Sequence, residues 1–134
     1  MPLTLQKNRL MRLLRLKKMG IIHLLFLNER GAKAQGREVS DGFVVLKGSR
    51  ARASEVESIH EFMRDLRRQL IQRGVMTSEG DGYVFTQDFR FGSPSTAAGV
   101  LVGASANGRV AWKDKRGVTL KELQQCRVDE TPRL

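Results

Sequence analysis

Residues 91–122, FGSPSTAAGVLVGASANGRVAWKDKRGVTLKE, carry the strongest local structure signals of the chain. Ser93-Pro94-Ser95 predicts a helix start, because a serine hydroxyl can accept a hydrogen bond from a first-turn N–H and proline fits where no donor is needed. A short helix is expected over residues 96–102, with Gly103 as the left-handed residue that ends it. The small residues Ala97-Ala98-Gly99 would let this helix lie close to another element or to a partner.

The second half of this stretch predicts two turns on either side of a strand. Asn107-Gly108 is the strongest two-residue turn signal in the chain. Residues 109–113 alternate as a strand would, which places Val110 and Trp112 on one face. A second turn is expected over residues 114–117.

A last helix is predicted to begin at Thr119, where Glu122 three residues later completes a capping box. Residues 91–122 therefore predict a helix–turn–strand–turn–helix unit. This arrangement specifies local structure and does not by itself name a reaction.

The N-terminal half predicts strands joined by turns. The apolar run over residues 21–27 is typical of a buried strand, and residues 28–36 are mostly small or turn-forming. Asp41-Gly42 predicts a hairpin turn and residues 43–47 the strand that follows it. A further strand is expected over residues 83–86.

The longest predicted helix covers residues 54–73. Ser54 and Glu57 have the spacing of a capping box, and Gly74 suits the helix end. Charged residues, Arg67 among them, are expected on the side that faces water. An apolar stripe at steps of three and four residues is formed by Val56, Ile59, Met63, Leu66 and Leu70.

Together these signals predict one α+β domain over residues 21–126, with a small, mainly antiparallel sheet, one long helix and two short helices. Residues 127–134 are expected to form a frayed polar tail. Residues 1–20 form a basic arm in which Leu10, Leu13 and Leu14 have helical spacing. That arm is either an amphipathic helix that contacts phosphates or a membrane surface, or an untied linker.

The net charge of the chain favours anionic partners. At 134 residues the formal charge is +10, and residues 1–20 contribute +6 of it because they contain six basic residues and no acidic one. The rest of the chain is only mildly basic, at +4. A charge of this sign is informative about partners rather than about the fold.

Cysteine content and hydropathy favour a cytoplasmic protein with no membrane span. Cys126 is the single cysteine, so no disulfide can form within the chain. The longest apolar run, residues 20–27, is far shorter than the roughly 18 residues needed to cross a bilayer. The basic start followed by this run loosely resembles a signal peptide, but the small-residue cleavage site is missing.

The sequence carries no recognisable catalytic constellation. Cys126, His23 and His60 alone cannot form a cysteine–histidine metal cluster. The chain has no phosphate-binding Gly-x-x-x-x-Gly-Lys-Ser/Thr loop, and no acidic residue is followed two places later by lysine, as in many metal-dependent nucleases. Asp81 and Asp88 could face each other across a strand, although roles in turns explain them more simply. The chain is expected to be non-catalytic, with no metal and no cofactor.

These motifs resemble those of an uncharacterised bacterial domain-of-unknown-function family. Members of that family often lie C-terminal to GIY-YIG endonuclease domains or near restriction–modification systems. The Ser-Pro-Ser, Asn-Gly and Trp signature is also similar, more loosely, to the RAMA domain, which accompanies adenine methylases and is thought to bind modified DNA. The resemblance covers about residues 24–125 and is carried by Asp41-Gly-Phe-Val-Val-Leu-Lys-Gly-Ser49, Phe85-Thr-Gln-Asp88, Ser93-Pro-Ser-Thr-Ala-Ala98, Ser105-Ala-Asn-Gly108 and Trp112-Lys-Asp114 with Gly117 and Leu120.

The chain departs from the GIY-YIG proteins in one respect that bears on activity. Their catalytic core needs two separate tyrosine motifs, and this chain has a single tyrosine, Tyr83. Nuclease activity is therefore not implied. Residues 1–20 fall outside the resemblance.

The resemblance implies a nucleic-acid-binding accessory module, with DNA as the expected nucleic acid. Basic side chains at strand ends and turns can reach phosphates, and the N–H groups at a helix start can accept an anion. Trp112 could stack on an exposed base, or it could anchor the core. The residues predicted to contact nucleic acid are Lys47, Ser49, Arg50, Arg52, Ser93, Ser95, Asn107, Arg109, Trp112, Lys113, Lys115 and Arg116.

A second interpretation stays open, because the body of the chain is only mildly basic. In this alternative the domain has a structural role and docks on a nuclease or methylase partner. The small-residue face of the predicted helix over residues 96–102 would suit close docking, although core packing explains it equally well.

Overall fold

This computed structural model describes residues 24–130 of the chain, with side chains described through residue 126. Seven strands and four helices lie within this range. The predicted α+β class and the antiparallel sheet are confirmed. The predicted basic arm, residues 1–20, lies outside the described residues. The strands are β1 (Leu25–Glu29), β2 (Ala32–Val39), β3 (Gly42–Val45), β4 (Arg50–Arg52), β5 (Met76–Glu79), β6 (Gly82–Phe85) and β7 (Phe89–Phe91). The helices are α1 (Glu61–Gln72), α2 (Pro94–Val102), α3 (Gly108–Ala111) and α4 (Leu120–Glu130).

Strand β2 lies at the centre of the sheet and pairs antiparallel on both edges. On one edge it pairs with β1, and on the other it pairs first with β4 and then with β3. Lys33 therefore lies between Asn28 and Arg50, and Gly36 lies between the first residue of β1 and the last residue of β3. Beyond these strands, β7 pairs with β3, while β6 pairs with β4 and β5 pairs with β6.

The prediction that residues 28–36 form turns was wrong, because most of them belong to β1 and β2. In β2 the small residues Ala32 and Ala34 are buried and alternate with exposed Lys33 and Gln35. This period of two is the strand signal, and side chains alternate between the faces of the sheet. The signal was missed because the buried positions hold alanine and glycine rather than β-branched residues.

Residues 46–49 separate β3 from β4 and interrupt the pairing of this part of the chain with β2. The N–H of Leu46 still donates to the carbonyl of Gln35 at 2.9 Å, and the N–H of Gly48 donates to the carbonyl of Phe85 at 2.9 Å. The N–H of Lys47 donates instead to the Asp88 carboxylate, Oδ1, at 2.8 Å. Extra residues of this kind let a strand bend.

The helices pack on one face of the sheet. Helix α2 contacts four strands, α1 packs between α2 and β5, and α3 lies against β1 and α2. The side chains of Phe43, Val45 and Phe85 point to this face and form much of the core. Within the described residues, no helix covers the opposite face.

Helix α1 begins at Glu61, so the predicted helix start and capping box at Ser54 were wrong. His60 occupies the N-cap, and its Nδ1 accepts a hydrogen bond from the N–H of Phe62 at 3.3 Å. Residues before it are held by tertiary bonds: the N–H of Val56 donates to the carbonyl of Gly103 at 2.9 Å. These bonds fix the chain in a non-helical path and override the local capping signal.

The placement of Arg67 on the water-facing side of α1 was also wrong. Arg67 is 1 % exposed. Its guanidinium donates to the carbonyl of Val100 in the last turn of α2 and, at 2.6 Å, to the carbonyl of Arg52. A cation at a helix C-terminus also interacts favourably with the helix dipole. Arg67 therefore joins α1 to α2 and to the end of β4.

Around α2 the sequence predictions were confirmed. Ser93 caps the helix by accepting the N–H of Thr96 at 3.1 Å, Pro94 follows it, and Gly103 ends the helix in a left-handed conformation with φ of 73°. At the start of α4, the hydroxyl of Thr119 accepts the N–H of Glu122 at 3.2 Å, as the capping box predicted.

Between these helices the predicted hairpin and strand were wrong, because residues 108–111 form the short helix α3. Asn107 caps it by accepting the N–H of Arg109 at 3.1 Å. A Cβ on Gly108 would collide with the backbone of Pro94 and Ser95, so this glycine permits a close approach of two helices rather than a turn. Val110 is 45 % exposed while Trp112 is fully buried, so they do not share a face.

Candidate nucleic-acid interface

The uncovered face of the sheet displays a mixture of basic, amide and apolar side chains. Residues paired across antiparallel strands point to the same face, so pairing defines its members. Asn28, Lys33 and Arg50 form one cross-strand row. We define the open sheet face by Phe26, Asn28, Lys33, Gln35, Arg37, Val44, Arg50, Arg52, Val84, Arg90 and Lys113.

Lys113 joins the open sheet face although it lies far along the chain. Its N–H donates to the carbonyl of Phe26 at 3.0 Å, and its carbonyl accepts the N–H of Phe26 at 2.7 Å. This isolated antiparallel bridge continues the ladder beyond β1. Lys113, Phe26 and Gln35 therefore form a second cross-strand row, in which the half-buried aromatic ring lies between a lysine and an amide.

The basic residues of the open sheet face divide into paired and unpaired groups. Arg50 contacts Glu79 of the edge strand, with Nη1 3.3 Å from Oε1 and Nη2 donating to its carbonyl at 3.0 Å. Arg90 contacts the Asp41 carboxylate at 2.7 Å. By contrast, the exposed side chains of Lys33, Arg37 and Lys113 form no ion pair with any described residue. Positive charge is therefore left without an ion-pair partner on the central strand β2 and at the Lys113 edge of this face.

An open groove of about 440 Å³ crosses this face beside residues 46–49. It runs over β1 and β2 and ends against the segment that links β3 to β4. Its lining combines one aromatic ring, two side-chain amides and three basic side chains with small residues. The lining residues are Phe26, Leu27, Asn28, Lys33, Ala34, Gln35, Lys47, Gly48, Ser49 and Arg50.

Several residues predicted to contact nucleic acid lie on this face or next to it. Arg50, Arg52 and Lys113 belong to the open sheet face, and exposed Lys47 lines its groove. Ser49 is only 4 % exposed, and its hydroxyl both accepts from the N–H of Gln35 at 3.1 Å and donates to its carbonyl at 3.2 Å. The buried Ser49 hydroxyl is therefore used to hold the interrupted strand.

Lys115 and Arg116 lie in the turn after Lys113, as the sequence predicted, and both are exposed. The Asp114 carboxylate organises this turn, since its Oδ1 accepts the N–H of Arg116 at 2.8 Å and that of Val118 at 2.9 Å. Two further exposed basic residues therefore follow Lys113 closely in the chain.

The remaining polar candidates lie on the helical side of the domain. Ser93 caps α2, and the hydroxyl of Ser95 accepts the N–H of Gly108 at 3.0 Å. Asn107 caps α3, and the Nε of Arg109 donates to Gln124 at 2.7 Å. The start of α3 packs directly on the start of α2, so these residues are not brought together with the open sheet face.

Trp112 is part of the core. Its ring is fully buried, its centroid lies 4.5 Å from that of Phe43, and its indole N–H donates to the carbonyl of Pro94 at 3.1 Å. A buried Trp usually finds such a polar partner. With no exposed ring surface, Trp112 cannot stack on a base.

Eight residues of the open sheet face were not among those predicted to contact nucleic acid: Phe26, Asn28, Lys33, Gln35, Arg37, Val44, Val84 and Arg90. Five of them lie in β1 and β2, and Asn28, Lys33 and Gln35 fall within residues 28–36, which had been predicted to form turns. The alternation of small and polar residues in β2 was the signal that could have found three of them.

The described residues contain no group of three histidine, cysteine, aspartate or glutamate side chains that could hold a metal ion. Asp88, one of the two carboxylates considered from the sequence, accepts the N–H of Lys47. In the same part of the chain, no helix has the length and hydropathy of a membrane span.

Residues 25–124 match the sequence model of a domain of unknown function, DUF4357. The chain belongs to this family. The match covers the whole sheet and all helices except the last turns of α4. No curated protein and no solved structure shows significant similarity to the chain. Membership in DUF4357 therefore supports the family resemblance without assigning a function.

Proposed function

We propose that this DUF4357 domain is a non-catalytic nucleic-acid-binding accessory module, with DNA as the expected ligand and the open sheet face as the binding surface. The carrying observation is that the exposed side chains of Lys33, Arg37 and Lys113 have no carboxylate partner among the described residues. Lys33 also lies opposite Arg50, whose guanidinium is already paired with Glu79. A phosphate backbone would neutralise the three unpaired charges.

The geometry of this surface suits phosphate contacts from several strands at once. Neighbouring strands are about 4.8 Å apart, so the two cross-strand rows present cations over a distance of several phosphates. Lys115 and Arg116 are exposed and follow Lys113 in the chain, so they add positive charge close to this surface. Phosphate contacts of this kind supply affinity and orientation without sequence readout.

The family resemblance supports the same proposal. Similar domains often lie C-terminal to GIY-YIG endonuclease domains or near restriction–modification genes, and the loosely similar RAMA domain is thought to bind modified DNA. The proposed role is accordingly that of an accessory to a nuclease or methylase system. The chain itself has one tyrosine and is not proposed to cleave its ligand.

A protein-docking role is the second candidate. It is favoured by the half-buried side chains of Val44 and Val84, which give the open sheet face an apolar component. The small-residue face of α2 does not contribute to it, because Ala97 and Ala98 are fully buried in the core.

Salt dependence and a matched pair of variants test the proposal. Anisotropy titrations of the full chain with labelled duplex and single strand, plain and adenine-methylated, are run at about 50 mM and about 200 mM salt. Lys33→Gln with Arg37→Gln removes two charges from the open sheet face. Arg68→Gln with Arg73→Gln removes two charges from exposed positions at α1.

We expect steep loss of affinity with salt, and a slope that falls by about 0.7 to 0.9 for each lost phosphate contact in the sheet variant alone. Equal effects of the two variants would show that net charge, not this face, controls binding. Absence of salt-sensitive binding would reject the proposal in favour of protein docking, which should vary little with salt.

A further inference from the structure

We infer that the ligand of the open sheet face is a single-stranded nucleic acid, one base of which stacks on Phe26. This inference rests on the proposed function and narrows the ligand to one class. Its starting observation is an aromatic ring that lies between a lysine and an amide in one cross-strand row of the face: Lys113, Phe26 and Gln35. The ring is half-buried and lines the groove.

Phe26 has an environment unlike that of the other aromatic residues in the sheet. Phe43, Phe85 and Phe91 point into the core and contact other rings. Phe26 lies on the opposite face and makes no ring contact with another described aromatic residue. A ring that is partly open to solvent and surrounded by cations is suited to stack on a nucleobase, whose π-face any sequence offers.

The neighbouring side-chain amides can form hydrogen bonds with the edge of a base that stacks on Phe26. Asn28 follows Phe26 on the same face of β1, and Gln35 lies directly opposite the ring. Neither side-chain amide forms a hydrogen bond with a described residue, so each offers both donors and an acceptor to the groove. Lys33, Lys47 and Arg50 border the same groove and can neutralise the adjoining phosphates.

A duplex cannot use this arrangement in the same way. In a duplex each base is stacked on its neighbours and paired at its edge, so its face is not available to a side chain unless the base is extruded. The combination of an open ring, free amides and bordering cations therefore fits an unpaired strand. Because DNA and RNA share the base and phosphate chemistry, the experiment includes both.

The test separates base stacking from phosphate attraction. Full-length protein is titrated with labelled oligothymidine and oligouridine of about 12 nucleotides, a duplex of equal length, and an abasic strand that keeps the phosphates. Phe26→Leu removes the aromatic face but keeps an apolar side chain. Phe62→Leu is the matched control, because Phe62 is 58 % exposed on α1, away from the sheet face.

Phe26→Leu should weaken binding of oligothymidine or oligouridine about five-fold or more, because the variant loses the contribution of one base–aromatic stack. It should leave the abasic strand unaffected, and Phe62→Leu should change neither. The Phe26→Trp variant keeps a stacking ring, so it should retain affinity, and its indole emission should be quenched when oligothymidine binds. Retained affinity in this variant also shows that position 26 tolerates substitution without loss of the fold.

The inference is overturned if Phe26→Leu leaves oligothymidine and oligouridine binding unchanged, or weakens the abasic strand equally. Tighter binding of the duplex than of either single strand would also overturn it. These results would leave the proposed function standing provided that binding remains salt-sensitive and dependent on Lys33 and Arg37. Lack of binding to every nucleic acid would instead reject the proposed function itself.

Discussion

Arg67 and Glu55 form an ion pair at the edge of the core, with Arg67 Nε 2.9 Å from Glu55 Oε2. The alignment of this N–H is poor for a hydrogen bond, so the contact is mainly Coulombic. Burial lowers the pKa of Arg67, and the neighbouring Glu55 carboxylate opposes that shift. The guanidinium stays charged because arginine does not deprotonate in proteins, and its Nη groups bind backbone carbonyls of α2 and β4.

Replacing Arg67 by methionine should therefore reduce the free energy of unfolding by about 2 to 3 kcal/mol. The methionine fills part of the volume but leaves the carbonyls of Val100 and Arg52 without their donor. Urea denaturation should show a lower midpoint with an unchanged slope. Arg68→Met is the control, since its side chain is 68 % exposed, and it should change stability by no more than about 0.5 kcal/mol. Equal, small effects of both substitutions would contradict a structural role for Arg67.

Gly108→Ala should destabilise the domain by about 1 to 3 kcal/mol, because the new methyl group must displace the backbone of Pro94 or Ser95. Gly92→Ala is the matched control, because a Cβ at that position meets no atom within 4 Å. Thermal denaturation of both variants measures the difference. A Gly108 variant as stable as the Gly92 variant would show that α3 does not pack closely on the start of α2.

The sequence predicted best those elements whose signals are local. Ser93 and Gly103 delimit α2 because a cap and a left-handed glycine act within one turn of helix. The Asp114 turn and the Thr119 cap were predicted for the same reason. The residues of the candidate site were predicted less completely, because strand pairing brings them together from distant parts of the chain.

Predictions failed where tertiary contacts decide between two local possibilities. Asn107-Gly108 fits a hairpin turn and a helix cap equally well, and the contact of Gly108 with Pro94 selects the cap. Arg67 follows the pattern of a surface arginine, yet carbonyls contributed by α2 and β4 make burial favourable. In β2, alanine and glycine take the buried positions because α2 and the Phe43 ring lie close to the strand.

The emission of Trp112 should not respond to nucleic acid. This is the only tryptophan in the chain, and its ring is fully buried against Phe43. Stacking on a base requires an exposed ring, so wild-type emission should stay constant during a titration in which anisotropy shows saturation. Phe26→Trp provides the positive control under identical conditions. Quenching of the wild-type emission at saturation would show that Trp112 contacts the nucleic acid.

Neutralising the N-terminal arm should weaken binding without abolishing it. Residues 1–20 carry +6, so Arg9→Gln, Arg12→Gln and Arg15→Gln together remove half of that charge in the full-length chain. If the arm contacts phosphates, the salt slope should fall by at most about 0.7 to 0.9 for each charge removed. On the proposed function, substitution of Lys33 and Arg37 should still lower affinity in this background, because these two charges belong to the open sheet face. Complete loss of binding in the arm variant would show instead that the arm is the site, and it would leave the sheet face to a protein partner.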